Sequence, residues 1–195
     1  ENKQIIKVAV NNKYSQEFFL QSEIDLSSAR FDGQPISKPI EINDQIFMRL
    51  QNSQLKDKIC NVKMNSVSRE TFAEILGFPN LEEISGTISG NSFLISKNPR
   101  KFVKGIENLN FEEVEMKIEV GDEFFSQIFA VPGLKRIKGL ELIQRKSLAV
   151  TKCPQGYVQG LEELKVNEID LKCEVGDVFL NQLFGISSLT KINGL

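Results

Sequence analysis

The chain contains one long segment twice. FVKGIENLNFEEVEMKIEVGDEFFSQIFAVPGLKRIKGL, from Phe102 to Leu140, aligns without a gap with YVQGLEELKVNEIDLKCEVGDVFLNQLFGISSLTKINGL, from Tyr157 to Leu195; 17 of 39 positions are identical at an offset of 55 residues. Most other positions exchange one apolar residue for another. This is the self-similarity of an architecture whose units bury their apolar faces only by stacking on neighbours. A worn third copy lies upstream. Ser66 to Gly86, SVSRETFAEILGFPNLEEISG, follows VGDEFFSQIFAVPGLKRIKG, and Ile95 to Pro99, ISKNP, follows Val150 to Pro154, VTKCP. Ile36 to Pro39, ISKP, marks a fourth. These matches divide the chain into residues 66–195, an array truncated inside a repeat at its C-terminus, and residues 1–65, degenerate N-terminal repeats or a cap with an insertion around LQNSQLKDKI. No Gly/Ser-rich or Pro-rich linker interrupts it.

Two patterns alternate within a unit. Phe124, Phe125, Ile128 and Phe129 follow Asp122 at helical spacing and end at Pro132 and Gly133; Phe179, Leu180, Leu183 and Phe184 follow Asp177 and end at Gly185. In the third copy Ser68 precedes Phe72, Ile75 and Leu76, with Gly77 at the end. Asp122, Asp177 and Ser68 are the expected N-caps. The second pattern is an apolar residue, a three-residue step and then alternation: Ile106, Leu109, Phe111; Ile137, Leu140, Leu142; Leu161, Leu164, Val166; and Ile192, Leu195. Alternation predicts short strands with one face buried. The starts are 31, 24 and 31 residues apart, so two unequal units make each repeat.

An L-x-x-L-x-L strand followed by a loop and a helix at this spacing resembles a leucine-rich repeat. The alternation of a full helix with a shorter segment near CPQGYVQG is similar to the ribonuclease-inhibitor and F-box-associated types. The sequence departs from the family pattern at the asparagine or cysteine expected after the strand motif. Asn167 comes one residue after Val166, and Leu142 is followed by IQRK. The resemblance implies an α/β fold, a right-handed solenoid with a curved parallel sheet on its concave side and helices on its convex side. It also implies a protein partner on the concave face. If Leu109 and Phe111 point inward, the outward row is Asn108, Asn110 and Glu112, then Gly139, Glu141 and Ile143, then Glu163, Lys165 and Asn167. The row is mixed in charge and has no aromatic anchor. The competing repeat fold is a β-propeller, which predicts four strands per unit and almost no helix.

The remaining features narrow the function classes. Among 195 residues, with 41% hydrophobic and a net charge of −2, there is enough apolar sequence for a core and no global attraction to nucleic acid or an acidic membrane surface. A local basic patch of Lys97, Arg100, Lys101 and Lys104, recurring as Arg145, Lys146 and Lys152, is the only candidate phosphate-facing surface, and no aromatic platform accompanies it. Nucleic acid is therefore the less favoured partner. The Gly-Asp pairs lack the further ligands of a calcium loop and the lysine of a phosphate loop. Glu112-Glu113 and Glu162-Glu163 point to opposite sides of a strand and do not make an acid–base pair. With no histidine, and Cys60, Cys153 and Cys173 in packing or turn positions, no nucleophile–base constellation exists. No catalytic residue, metal site or cofactor is expected.

Three cysteines without a Cys-x-x-Cys give neither a complete disulfide framework nor a zinc ribbon, and no Asn-x-Ser/Thr acceptor occurs, so the reading is an intracellular protein, cytoplasmic or nuclear. Secretion stays open because the chain begins at Glu1. No apolar run suits a membrane helix, so no membrane insertion is expected. The leading function is a noncatalytic protein–protein interaction scaffold or adaptor. The alternative is a structural component of a larger assembly, such as a ribonucleoprotein or surface complex, held through basic edge patches. Leu195 lies inside a strand motif, so further repeats or a second chain are expected at the C-terminal edge.

Overall fold

Glycine and a three-residue step decide how each turn begins. In the computed structural model, which describes residues 39–97, 99 and 102–194, the steps starting at Ile106 and Leu161 are not strands, and in the middle motif Ile137 lies in the strand Arg136–Lys138 while a turn starts at Leu140. Ile106–Asn108, Leu140–Leu142 and Leu161–Glu163 are single 3₁₀ turns, each preceded by a left-handed glycine: Gly105 (φ 99°), Gly139 (φ 81°) and Gly160 (φ 99°). In a 3₁₀ turn residues i and i+3 lie over one another. Ile106 and Leu109, Leu140 and Ile143, and Leu161 and Leu164 are accordingly all buried. The strand reading therefore fails at the middle motif. Leu142 is 38% exposed and Ile143 is fully buried, so Ile143 does not belong to the outward row.

The regular elements are β1 (Ile40–Ile42), α1 (Asp44–Leu50), β2 (Asn61–Val67), α2 (Arg69–Ile75), β3 (Glu83–Ile88), β4 (Ser92–Ile95), β5 (Glu113–Met116), α3 (Asp122–Phe129), β6 (Arg136–Lys138), β7 (Gln144–Val150), β8 (Lys165–Leu171), α4 (Asp177–Leu183) and β9 (Lys191–Asn193). They form three parallel three-stranded sheets, β1-β2-β3, β4-β5-β6 and β7-β8-β9. Each sheet is one copy of the repeat. Strand β4 corresponds to β7, β5 to β8 and β6 to β9, with α2, α3 and α4 in the last crossover of successive copies. The protein is thus α/β with parallel strands, and its four α-helices among the described residues exclude the propeller alternative. The boundary read between residues 65 and 66 falls inside β2. The stretch LQNSQLKDKI lies in a β1–β2 crossover of ordinary length, since Lys63 pairs with Glu41 at a separation of 22. Residues 1–38, including ISKP up to Lys38, lie outside the described residues, as does Leu195.

Three sheets stand where one continuous sheet was expected, and hydrogen bonding explains the breaks. Strand β3 continues as an isolated parallel bridge from Glu83 to Lys104. Beside Val103 lies α3, through Gln127, and beside α3 lies β7, whose Ala149 N–H donates to Asp122 Oδ2 at 3.0 Å. One column therefore runs β1, β2, β3, α3, β7, β8, β9. The other runs α2, β4, β5, β6, a bridge from Arg136 to Gln159, and α4, with α2 packed on β4. A helix uses its own N–H and C=O groups internally, so a strand beside it has no ladder partner there and the sheet ends.

The caps differ from expectation in two of three cases. Ser68 caps α2, its hydroxyl accepting from the Thr71 N–H at 3.2 Å. Gly121 and Gly176 occupy the cap positions of α3 and α4, and Asp122 and Asp177 are the first helical residues, where their charge suits the helix N-terminus. Asp122 is engaged instead with Arg145 and β7. The core is a single cluster from Ile40 to Ile186. Phenylalanines link its copies edge to face, Phe72 to Phe93 at 5.1 Å and Phe129 to Phe179 at 5.4 Å, and Phe93 meets Phe111 of the same copy at 4.2 Å.

Cys153 and Cys173 form a disulfide, with Cα atoms 6.3 Å apart and a sequence separation of 20, while Cys60 is free and buried. This corrects the reading of the two residues as unpaired cysteines in packing or turn positions. Twenty residues is close to one step along a column, so the two sulfurs meet on adjacent turns. The pairing removes the cysteine-based argument for a reducing compartment.

Candidate functional site

Charges placed one turn apart dominate the surface. Glu41 pairs with Lys63 at 2.8 Å, Glu74 with Lys97 at 2.5 Å, Glu83 with Lys104 at 3.4 Å, Glu112 with Lys135 at 2.7 Å and Glu113 with Lys138 at 2.7 Å. Each joins neighbouring turns. The acids Glu112 and Glu113 are therefore partners in two inter-turn ion pairs and not a proton-transfer pair. Exposed pairs of this kind contribute about 0–1 kcal/mol each, but in series they favour one stacking register.

Three of the five described residues of the basic patch face carboxylates in the same arrangement. Lys97 and Lys104 face Glu74 and Glu83. Arg145 lies 2.8 Å from Glu119, bonds to the Asp122 carboxylate and donates to the Val120 carbonyl. Lys146 and Lys152 are exposed and make no ion pair among the described residues. Arg100 and Lys101 lie outside the described residues.

The outward row is divided. Asn108 and Glu163 are exposed in 3₁₀ turns. Asn110 and Glu112 lead into β5, whereas Lys165 and Asn167 lie on β8, a strand of the other column. Gly139 is a half-buried hinge. The turns carrying Glu141 and Glu163 lie against each other, and Lys165 pairs with Gln144 across β7 and β8. Glu141, Glu163 and Lys165 thus share one surface, and the outward row does not run on to them from Asn108, Asn110 and Glu112, because the equivalent strands β5 and β8 lie in different columns.

Two glutamines escaped the sequence reading. Gln127 Nε2 donates to Val103 O at 2.8 Å and its Oε1 accepts from Val103 N at 3.5 Å; Gln182 makes the same pair with Val158, at 2.8 and 2.9 Å. Each glutamine supplies the donor and acceptor that a neighbouring strand would have given. The signal was present, since both are identical in the two copies inside an otherwise apolar helix face. Gln127→Leu should lower stability by about 2 kcal/mol, because Val103 loses both partners in a dry environment, measured as a shift of the urea midpoint. Gln182→Leu, in a less buried site, should lose less.

No family model, curated protein or solved structure matches the chain. The site rests on its geometry. Among the described residues no three His, Cys, Asp or Glu side chains gather to hold a metal ion, and no helix is long and apolar enough to cross a membrane.

Among the described residues three carboxylates are held below their ordinary acidity range. A hydrogen bond from Lys138 is the largest cause that holds Glu113 below the ordinary 4.5. Glu115 is lowered first by Lys117 and then by Arg69, 2.8 Å away. Burial raises Asp44, but hydrogen bonds from Ser68 and Thr71 outweigh it and lower the net value. Depressed folded-state values stabilise the fold above the unfolded carboxylate range, and that contribution is lost as pH falls through them. Stability should therefore decline below about pH 4.5, and Glu113→Gln with Glu115→Gln should flatten the decline in a pH series of urea midpoints. These groups are partly exposed, so added salt should shrink the difference.

Proposed function

We propose that the chain is a leucine-rich-repeat-like solenoid that serves as a noncatalytic scaffold or adaptor, binding another protein through side chains that face away from the stack. The observation that carries this reading is the contrast between the copies. At Gly105 and Gly160, Leu109 and Leu164, and Gln127 and Gln182 the copies are identical, and these residues are buried or bonded between turns in both. Two exposed positions of the outward row change their chemistry instead: Asn108 becomes Glu163 and Asn110 becomes Lys165. A constant frame carrying variable side chains suits recognition over an extended surface. The pairing of Lys97, Lys104 and Arg145 with carboxylates weighs against the rival reading of a component held to RNA through basic patches.

Affinity capture from the native source, followed by the triple reversal Glu141→Lys, Glu163→Lys and Lys165→Glu, tests the reading. The expected result is loss of one protein partner at unchanged stability. Unaltered partner binding removes this surface, and capture of RNA with a steep salt dependence favours the rival.

A further inference from the structure

One loop is tied to the repeat frame by little except a bond between two sulfurs. The Thr151 N–H donates to Ser126 and the Val158 N–H to Gln182. Between them, residues 152–157 make no hydrogen bond and no ion pair among the described residues. Pro154 is buried, and Cys153 is joined to Cys173 in the turn between β8 and α4. Lys152, Gln155, Gly156 and Tyr157 are exposed, Tyr157 to 60%. A segment with so few bonds opens at low free energy once its tie is removed. The turns on both sides of it are described, one bonded to the start of the next element through Lys135 and Gln159 and the other carrying Cys173.

The preceding copy shows that the stacking does not need this bond. Asn98 and Ile118 stand where the later copy has Cys153 and Cys173. The turns nevertheless stack alike: the Lys117 N–H donates to the Ile95 carbonyl at 2.8 Å, and the Lys172 N–H to the Val150 carbonyl at 2.8 Å. Ile118 packs against the core as Cys173 does. The bridge is therefore additional to the frame, and what it adds is the placement of the loop. Cys153 and Cys173 are half-buried, whereas the free Cys60 is 6% exposed. Each bridged cysteine follows an exposed lysine, Lys152 or Lys172, and a cation near a sulfur favours the thiolate that leaves in an exchange.

We propose that the Cys153–Cys173 bond is a redox latch, opened by a dithiol reductant, that fixes residues 152–157 when oxidised and releases them when reduced. A thiolate of the reductant attacks one sulfur, and the other cysteine leaves as a thiolate and takes up a proton. The second thiol of the reductant then attacks the mixed disulfide and frees the first cysteine. Two electrons and two protons reach the protein, and the reductant closes to its own disulfide. The latch sets how Tyr157 is presented. In the preceding copy the same position carries Phe102, 40% exposed. An aromatic side chain on a fixed loop loses less freedom on meeting a partner than one on a released loop, so the oxidised form is the one prepared for contact.

The test uses the 195-residue chain, oxidised in air or reduced with dithiothreitol in the absence of denaturant, with alkylation and mass spectrometry to count reactive thiols. Reduction should expose Cys153 and Cys173 to alkylation while Cys60 stays protected. Tryptic cleavage after Lys152 should then speed up about thirtyfold, the low end of a disulfide's typical contribution to holding a loop. Cleavage after Lys138, at the end of β6, should not change, and reoxidation should restore resistance. The double variant Cys153→Ser, Cys173→Ser should be cut after Lys152 at the reduced rate with or without dithiothreitol. A bridge that resists dithiothreitol until the chain unfolds overturns the proposal, since the bond is then a permanent staple. Equal cleavage after Lys152 in both forms overturns it, as does equal acceleration after Lys138, which would make the bond a support of the whole fold. Three reactive thiols in the air-oxidised, unfolded chain also overturn it. None of these outcomes touches the scaffold reading, because the latch is defined by the motion of the loop and not by a partner.

Discussion

Gly160→Ala should lower stability by about 3–4 kcal/mol, and the amount separates two causes that usually act together. Gly160 has φ 99°, a region that costs an L-residue about 1–2 kcal/mol. A Cβ at this position would also lie 2.1 Å from the Ile137 carbonyl oxygen of the preceding turn, and relieving such an overlap costs typically ~1–3 kcal/mol. Two other glycines isolate the terms. Gly90 has φ 85° but nothing within 4 Å, so Gly90→Ala should show the backbone cost alone. Gly156 has open space and no positive φ, so Gly156→Ala should stay within about 0.5 kcal/mol of the parent. Urea midpoints at constant slope give the comparison. A Gly160→Ala variant no worse than Gly90→Ala would mean that the turns are not stacked as closely as the structure has them. Gly86, Gly105, Gly139 and Gly194 stand in the same relation to Met64, Ile84, Met116 and Leu171, with hypothetical Cβ distances of 1.9 to 2.2 Å. The glycine is therefore the hinge at which one turn is laid on the last.

That hinge also marks the limit of what the sequence could show. Repetition was legible because identical residues recur at a fixed offset, and the helices were legible because their apolar spacing belongs to no other element. The motif from Ile137 to Leu142 was not, since its step runs from β6 across Gly139 and the 3₁₀ turn starts only at Leu140, which puts Ile143 and not Leu142 three residues on. Only the environment of Ile143 and Leu142 shows this. The spacing of the column steps was hidden for another reason. Bonds between turns recur at separations of 21 to 27 residues, as in Ser66 to Thr87 and Ala149 to Asp122, whereas the sequence repeats every 55. The longer period is two column steps plus a short link, so each copy starts in the other column. Without the shorter step there was no reason to pair Cys153 with Cys173, Glu74 with Lys97, or Asp122 with Arg145. The outward row failed on the same point, because residues equivalent by the 55-residue period do not share a face.

Phe93→Ala should be the most damaging side-chain truncation, lowering stability by about 3–5 kcal/mol. Phe93 is fully buried on β4, the first strand of the second copy. Its ring meets Phe72 of the first copy at 5.1 Å and Phe111 of its own copy at 4.2 Å, both edge to face. Such contacts add about 0.5–1.5 kcal/mol beyond area burial. The contact with Phe72 crosses from the β4-β5-β6 copy to the β1-β2-β3 copy, so a lesion there weakens the coupling between them as well as the total. The variant should therefore unfold with a shallower urea transition. Hydrogen exchange should show residues 40–88 opening at lower free energy than residues 113–171, whereas the parent opens them together. Phe93→Leu, which keeps most of the volume, should lose less than about 1.5 kcal/mol and retain the steep transition. Uniform loss of protection along the chain in Phe93→Ala would instead make the three copies a single cooperative unit, with Phe93 serving as packing and not as the junction between copies.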